Sequence, residues 1–175
     1  MVENELNATI YIDVETMGLN AYTDRLTCIG IIVEVEGEIV KEVAISDEDE
    51  VSMLREFFRI YDRYDESIID TITWNKTFDS DFILVRGWKH NFKNYIPCNP
   101  VDLKSEFPKF DFDGEWRKPS LDEAAKFLGI ESEKLATGAE APYMWKYGKI
   151  EELKEYCLMD VKIMREIHHK LEVMK

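Results

Sequence analysis

The sequence is short of the residues that staple a chain or carry it across a membrane. Its three cysteines, Cys28, Cys98 and Cys157, stand far apart and none belongs to a C-x-x-C pair, which excludes a disulfide framework and a zinc ribbon and makes them expected core residues. Histidine is as scarce. His168 and His169 are neighbours on a predicted helix and so point in different directions, His90 stands alone, and any metal has to be held by oxygen. No apolar run approaches the roughly 20 residues of a membrane span, and the Met-Val-Glu-Asn start is no signal peptide. The expectation is a soluble, intracellular protein with no membrane partner. Its 175 residues suit one domain with a full core and leave no room for two ordinary ones, so residues 1–175 are read as a single domain.

Positive charge is also in short supply: 22 basic residues face 36 acidic ones, a net charge of −14. The excess is local, since residues 1–50 hold 13 acidic and two basic residues and residues 51–175 hold 23 acidic and 20 basic. Sequence-independent binding to nucleic acid is driven by phosphate neutralisation, so this balance counts against such a partner unless metal and local basic groups compensate.

The chain is organised around Thr9 to Leu19 (TIYIDVETMGL), which pushes Asp13 and Glu15 into an apolar strand pattern. Residues at i and i+2 of a strand share a face, so two carboxylates there repel unless something neutralises them, and a divalent cation is the obvious candidate. The alternative is a strand that ends at Ile12 and leaves both acids in a solvated turn.

Strands are expected at 8–15, 27–35 and 38–45, the last two joined as a hairpin at Glu36 and Gly37. Asp47 to Glu50 reads as an acidic helix start, followed at helical spacing by Val51, Leu54, Phe58 and Tyr61. Ser67 to Thr73, with Ile68, Ile69 and Ile72, reads as a buried strand. A helix over 80–91 then carries Phe82, Val85 and Trp88 or Lys89 along one side, with Asp79 near its start. Pro97 and Pro100 bracket a short extended piece ending near Asp102, and residues 104–119 look irregular. Ser120 caps a clear helix with Glu123 completing a capping box and Gly129 ending it. Glu131 to Lys149 reads as a mobile loop with an aromatic tip, Tyr143, Met144, Trp145 and Tyr147. The last helix, about Lys149 to Val173, buries Leu153, Cys157, Met164, Ile167 and Leu171, and its Tyr156 and Asp160 lie one above the other on a flank of that stripe.

Three separated features, Asp13-x-Glu15, Asn75-x-x-Phe78-Asp79 and Tyr156-x-x-x-Asp160, each place an acid at the end of an apolar element. In order, spacing and flanking residues they resemble the DEDD superfamily of 3′-to-5′ exonucleases, in the branch with Tyr in the third motif; the His of the other branch would fall at Glu155. Ser120 to Gly129 (SLDEAAKFLG) is similar to a segment of the exonuclease domain of family B DNA polymerases, and the likeness runs from about residue 9 to 172.

The resemblance implies an α/β, ribonuclease H-like fold: a mixed five-stranded sheet, its first three strands antiparallel, with helices on both faces. It implies two Mg²⁺ or Mn²⁺ ions, bridged by Asp13, with Glu15 and Asp160 completing one site and Asp79 supporting the other, while Tyr156 orients the attacking water. Thr16 and Met17 would touch the terminal nucleotide, Asn75 and Phe78 would contact or wedge the next base, and Lys146 and Lys149 would meet phosphates. The implied activity is exonucleolytic cleavage from the 3′ end of single-stranded DNA, releasing nucleoside 5′-monophosphates, by a free-standing nuclease or a subunit. The alternatives are a 3′-end exoribonuclease of the same superfamily and an inactive domain kept for binding. The sequence carries nothing on oligomeric state.

Overall fold

Two apolar stretches too long to cover their own side chains meet at the centre of a sheet in the computed structural model, which describes residues 7–92, 97, 99–131 and 137–175. They are β1 (Ala8–Thr16) and β2 (Leu26–Val35), and β3 (Glu38–Ile45) extends them into an antiparallel meander. The β2–β3 turn falls at Glu36 and Gly37, both with positive φ, 51° and 85°, which matches the right-handed twist that tight hairpins favour. On the other side of β1, β4 (Ile68–Thr73) and β5 (Pro100–Asp102) pair in parallel, giving the order β3-β2-β1-β4-β5. The mixed five-stranded sheet is thus the expected one. Edge strand β3 is largely exposed and carries Glu38, Lys41 and Glu42, charges that discourage pairing with another sheet.

Helices cover both faces. α1 (Glu50–Tyr61) and α2 (Lys76–Lys89) pack Met53, Leu54, Phe57, Phe82 and Ile83 on Ile10, Ile12 and Val14 of β1. α3 (Leu121–Phe127) and α5 (Ile150–Met174) cover the opposite face, where Tyr11, Ile32 and Ile72 meet Ala124, Val161, Met164 and Ile167. Burying each large aliphatic side chain contributes about 1.5–3 kcal/mol, and the alternation of β1 sends Asp13 and Glu15 out on the Tyr11 face, toward α5. Asp49 caps α1, accepting from Val51 N at 3.1 Å, and Ser120 and Glu123 form the capping box expected at α3.

Glu50 does more than start a helix. It is buried and accepts from Arg86 Nε (2.9 Å), Arg86 Nη2 (2.5 Å) and Leu26 N (2.8 Å), while Arg86 Nη1 donates to Ala21 O at 3.3 Å. One buried ion pair therefore ties α1, α2 and the loop after β1 together.

Several expectations are corrected. α2 starts four residues earlier than position 80, because Asn75 is the residue that turns the chain, and its buried face is Phe82, Ile83, Arg86 and Gly87, with Val85 half-buried and Trp88 61% exposed. Ile69 faces solvent, 46% exposed, because strand alternation turns only one of two successive isoleucines, the half-buried Ile68, toward the core. Residues 104–119 hold a 3₁₀ turn (Leu103–Glu106) and a hairpin of β6 (Phe110–Phe112) and β7 (Glu115–Arg117), turned at Asp113 and Gly114 with φ of 55° and 89°. The expected loop over 131–149 contains a short helix, α4 (Ala141–Lys146), started by Pro142; residues 132–136 fall outside the described residues. Leu171 is only half-buried; Cys28 and Cys157 are buried, and Cys98 lies outside the described residues.

Candidate active site

Asp13 and Glu15 leave β1 on one face, and a register irregularity between Glu15 and Thr16 ends the ladder just beyond them. What brings a helix to them is the residue opposite: Asp13 pairs with Gly30 on β2. A Cβ on Gly30 would lie 2.8 Å from Val161 Cγ2, 3.0 Å from Cys157 Sγ and 3.2 Å from Cys157 O, so the missing side chain is the space that α5 occupies. The close approach sets Tyr156 and Asp160, one turn apart on α5 and both buried, against the carboxylates of β1.

Asp79 arrives from the other layer. β4 ends at Thr73, Asn75 turns the chain, and Asp79 in the first turn of α2 reaches back so that its Oδ2 accepts from Asn75 N at 2.9 Å. The helix N-terminus favours this negative charge, yet burial dominates and pushes the Asp79 carboxyl up to about 7, with the charges of Asp102 and Asp160 adding to the rise and the Asn75 bond and Lys104 opposing it. Asp102 was not foreseen as a neighbour. It ends β5 in register with Thr73, and the available signal was an acid closing a short extended piece.

The four acids feel one another. Burial first, then Asp79, Glu15 and Asp160, raise the Asp13 carboxyl well above the ordinary carboxylate range. Burial and the charges of Asp160, Glu15 and Asp13 raise the Tyr156 hydroxyl far above its ordinary value, and it donates a hydrogen bond to Asp160. Tyr156 therefore stays protonated at neutral pH and can position a water or substrate oxygen but cannot act as a resting base. Crowded carboxylates of this kind are relieved by a cation, and hard oxygen donors suit Mg²⁺ or Mn²⁺, so the donor set fits a divalent metal. The structure adds one unforeseen donor: Cys157 Sγ lies 3.7 Å from Asp13 Oδ2.

Asp13, Glu15 and Asp79 open onto a cleft of about 570 Å³, which Thr16, Asn75 and Phe78 line with Leu19, Trp74 and Pro142. Gly138 crosses above Tyr156, where a Cβ would come within 3.6 Å of the hydroxyl. Thr16 donates to Gly18 O at 2.6 Å, which shapes the loop at the cleft edge. The other sequence candidates are not in the wall: Tyr156 and Asp160 are buried on α5 beside Asp13 and Glu15, Met17 is 37% exposed, Lys146 is exposed, and Lys149 bonds Glu152 at 2.9 Å. Of the aromatic tip, Met144 and Trp145 pack against the cluster of Cys28, Leu153 and Cys157, with Arg25 stacked over Trp145, while Tyr143 and Tyr147 stay exposed.

A sequence model of the RNase_H superfamily matches residues 10–172. An uncharacterized protein of Methanocaldococcus jannaschii is 32% identical over 146 residues, 79% of this chain and 77% of that protein. Among solved structures, the family B DNA polymerase of the hyperthermophilic archaeon Pyrobaculum calidifontis superposes with a TM-score of 0.70 at 17% identity, over 94% of this chain. Exonuclease I bound to the inhibitor BCBP gives a TM-score of 0.51 at 15% identity over 95% of this chain. The chain spans 24% of the polymerase's length and 46% of exonuclease I's, and at these identities the likeness is one of fold.

Proposed function

The chain belongs to the RNase_H superfamily and has its α/β fold, and from that premise we propose that it is a metal-dependent 3′-to-5′ exonuclease of the Tyr type, acting on single-stranded DNA and releasing nucleoside 5′-monophosphates. The observation that carries the proposal is that residues from three separated segments converge: Asp13, Glu15 and Asp79 line one cleft, and the charges of Glu15 and Asp160 help to raise the proton affinities of Asp13 and Tyr156. In this reading Asp13, Glu15, Asp79 and Asp160 hold two Mg²⁺ or Mn²⁺ ions. When bound, such a pair activates the attacking water and stabilises the leaving 3′ oxygen of an in-line displacement.

The chain's own residues do the rest. Tyr156, kept protonated by burial and by Asp160, orients the nucleophile with its hydroxyl. Asn75 and Phe78, held at the start of α2, receive the penultimate base, and Thr16 contacts the terminal sugar. Trp74 and Pro142, also in the lining, would flank a single strand whose end enters the cleft. Lys146 and Lys149 keep only a peripheral role, and Met17 lies between the lining residues Thr16 and Gly18.

The test is hydrolysis of matched 5′-labelled oligonucleotides with Mg²⁺ or Mn²⁺. A ladder shortening from a free 3′ hydroxyl, faster on DNA than on RNA and on single strands than on duplex, is expected. Cutting of a circular single strand, or normal cutting of a 3′-blocked one, overturns the exonuclease reading, and faster loss of RNA reassigns the polymer.

A further inference from the structure

The buried thiol of Cys157 has no part in the hydrolysis proposed above, yet it sits against two of the carboxylates, Asp13 and Glu15. It follows Tyr156 on α5, is fully buried, and directs Sγ at both Asp13 Oδ2 and Asp13 O, each 3.7 Å away. One ligand atom each from Asp13, Glu15 and Cys157 lie within 4.8 Å of one another. In tetrahedral zinc, with Zn–S about 2.3 Å and Zn–O about 2.0 Å, sulfur and oxygen ligands stand roughly 3.5 Å apart. The thiol and the Asp13 carboxylate are therefore already spaced close to an edge of that polyhedron. The donors come from two rigid elements, β1 and α5, whose approach is fixed by Gly30, so the spacing does not depend on a loop.

We propose that Asp13, Glu15 and Cys157 form a binding site for one thiophilic divalent cation, Zn²⁺ or Cd²⁺, overlapping the carboxylate cluster. Binding transfers the thiol proton to solvent and forms one metal–sulfur bond, with no change of oxidation state. Soft sulfur adds little to Mg²⁺ but favours zinc, which already stands above Mn²⁺ in affinity for a common donor set. Because Asp13 is shared, a zinc ion held here takes that carboxylate away from a hard cation, and zinc inhibits any Mg²⁺-supported activity. The binding itself stands apart from the nuclease reading; only the inhibition rests on it. Cys28, a second buried thiol hydrogen-bonded to Cys157 and in register with Glu15, supplies the internal control.

The experiment titrates Cd²⁺ into the metal-free full chain, kept reduced, and follows sulfur-to-cadmium charge-transfer absorption in the ultraviolet. The wild type should show one saturable equivalent. Cys157→Ser should lose the band with an unchanged melting temperature in chelator, and Cys28→Ser should keep it; if the serine variant does not fold, Cys157→Ala is read in its place. No band in the wild type, or a band that survives loss of Cys157, overturns the site. In parallel, the Zn²⁺ concentration that halves Mg²⁺-supported hydrolysis should rise at least about tenfold in Cys157→Ser, since losing even a hydrogen-bond partner of a metal ligand costs about 10- to 100-fold in affinity. A wild type inactive with Mg²⁺ that still shows the cadmium band refutes the nuclease reading and leaves the thiol site standing.

Discussion

Replacing Asp79 with asparagine should stabilise the metal-free protein, by an amount that grows with pH. The carboxyl is buried, and burial with the charges of Asp102 and Asp160 holds its proton up to about pH 7, against an ordinary value of 3.8. Across that window the folded state keeps a proton that the unfolded state has released, so this group's contribution makes the wild type lose stability as pH rises from about 4 to about 7. Each tenfold change in proton affinity is worth about 1.4 kcal/mol, so the full loss above pH 7 is on the order of 4 kcal/mol, an upper bound because the neighbouring acids share the repulsion. Asparagine keeps the acceptor for Asn75 N and carries no charge. Urea unfolding in chelator, followed by tryptophan fluorescence, should show the two proteins nearly equal at pH 4 and separated at pH 7.5. Saturating Mg²⁺ should close the gap by stabilising the wild type more than the variant. A gap that does not change with pH, or an asparagine variant less stable at pH 7.5, refutes the electrostatic reasoning.

Three further outcomes follow from the same geometry. Gly30→Ala forces a Cβ to within 2.8 Å of Val161 Cγ2, so α5 must shift; about 1–3 kcal/mol of stability should be lost, and kcat should fall by roughly 10²-fold through misplacement of Tyr156 and Asp160, whereas a variant with normal kcat would show that the close approach does not position them. Tyr156→Phe should lower the plateau of kcat against Mg²⁺ by about 10² to 10⁴ without moving the midpoint, and wild-type kcat would reduce Tyr156 to a packing residue. Arg86→Ala leaves Glu50 buried without its main partner and should cost about 3–5 kcal/mol in urea unfolding; a cost under about 1 kcal/mol, the level of an exposed pair, would mean that Glu50 escapes to water.

The sequence was most legible where a local rule and the tertiary fold agree. The alternation of Thr9 to Glu15, the Glu36-Gly37 turn and the Ser120–Glu123 capping box each specify their own backbone, and the structure contains all three. The short hairpin of β6 and β7 was missed because three-residue strands show too little alternation, although Asp113-Gly114 between Phe-Asp-Phe and Glu-Trp-Arg is a turn signal. Helix α4 is only six residues between glycines, less than two turns, and its existence depends on packing against α5. At the site, the acids could be read because each interrupts or borders an apolar pattern, although none ends its element: β1 runs on to Thr16, Asp79 opens α2, and Asp160 lies inside α5. Cys157 could not: cysteine rules look for neighbours in sequence, and its partners, Asp13 and Glu15, lie in β1, far away along the chain. Glu50 was read correctly as a helix-start acid, but its partner Arg86 is set by how two helices pack.

The acidity of the chain also takes on a different meaning once the cleft is known. With a net charge of −14, long-range attraction to a polyanion is absent, and among the described residues the cleft lining holds no lysine or arginine. Lys149, a candidate phosphate contact, is already engaged with Glu152. In the proposed reading, affinity for a strand comes mainly from contacts that salt screens little, Trp74 and Phe78 against bases and backbone groups of the 138–142 segment, with metal held by the acids meeting the scissile phosphate. Single-stranded binding loses about 0.7 of a logarithmic unit per tenfold rise in salt for each phosphate neutralised by the protein. Binding of the Asp13→Ala variant to a 3′-hydroxyl oligonucleotide should therefore fall with a log–log slope shallower than about −2 between low and physiological salt. A slope of about −4 or steeper implies six or more released counterions, and would require a basic track outside this cleft that carries most of the strand.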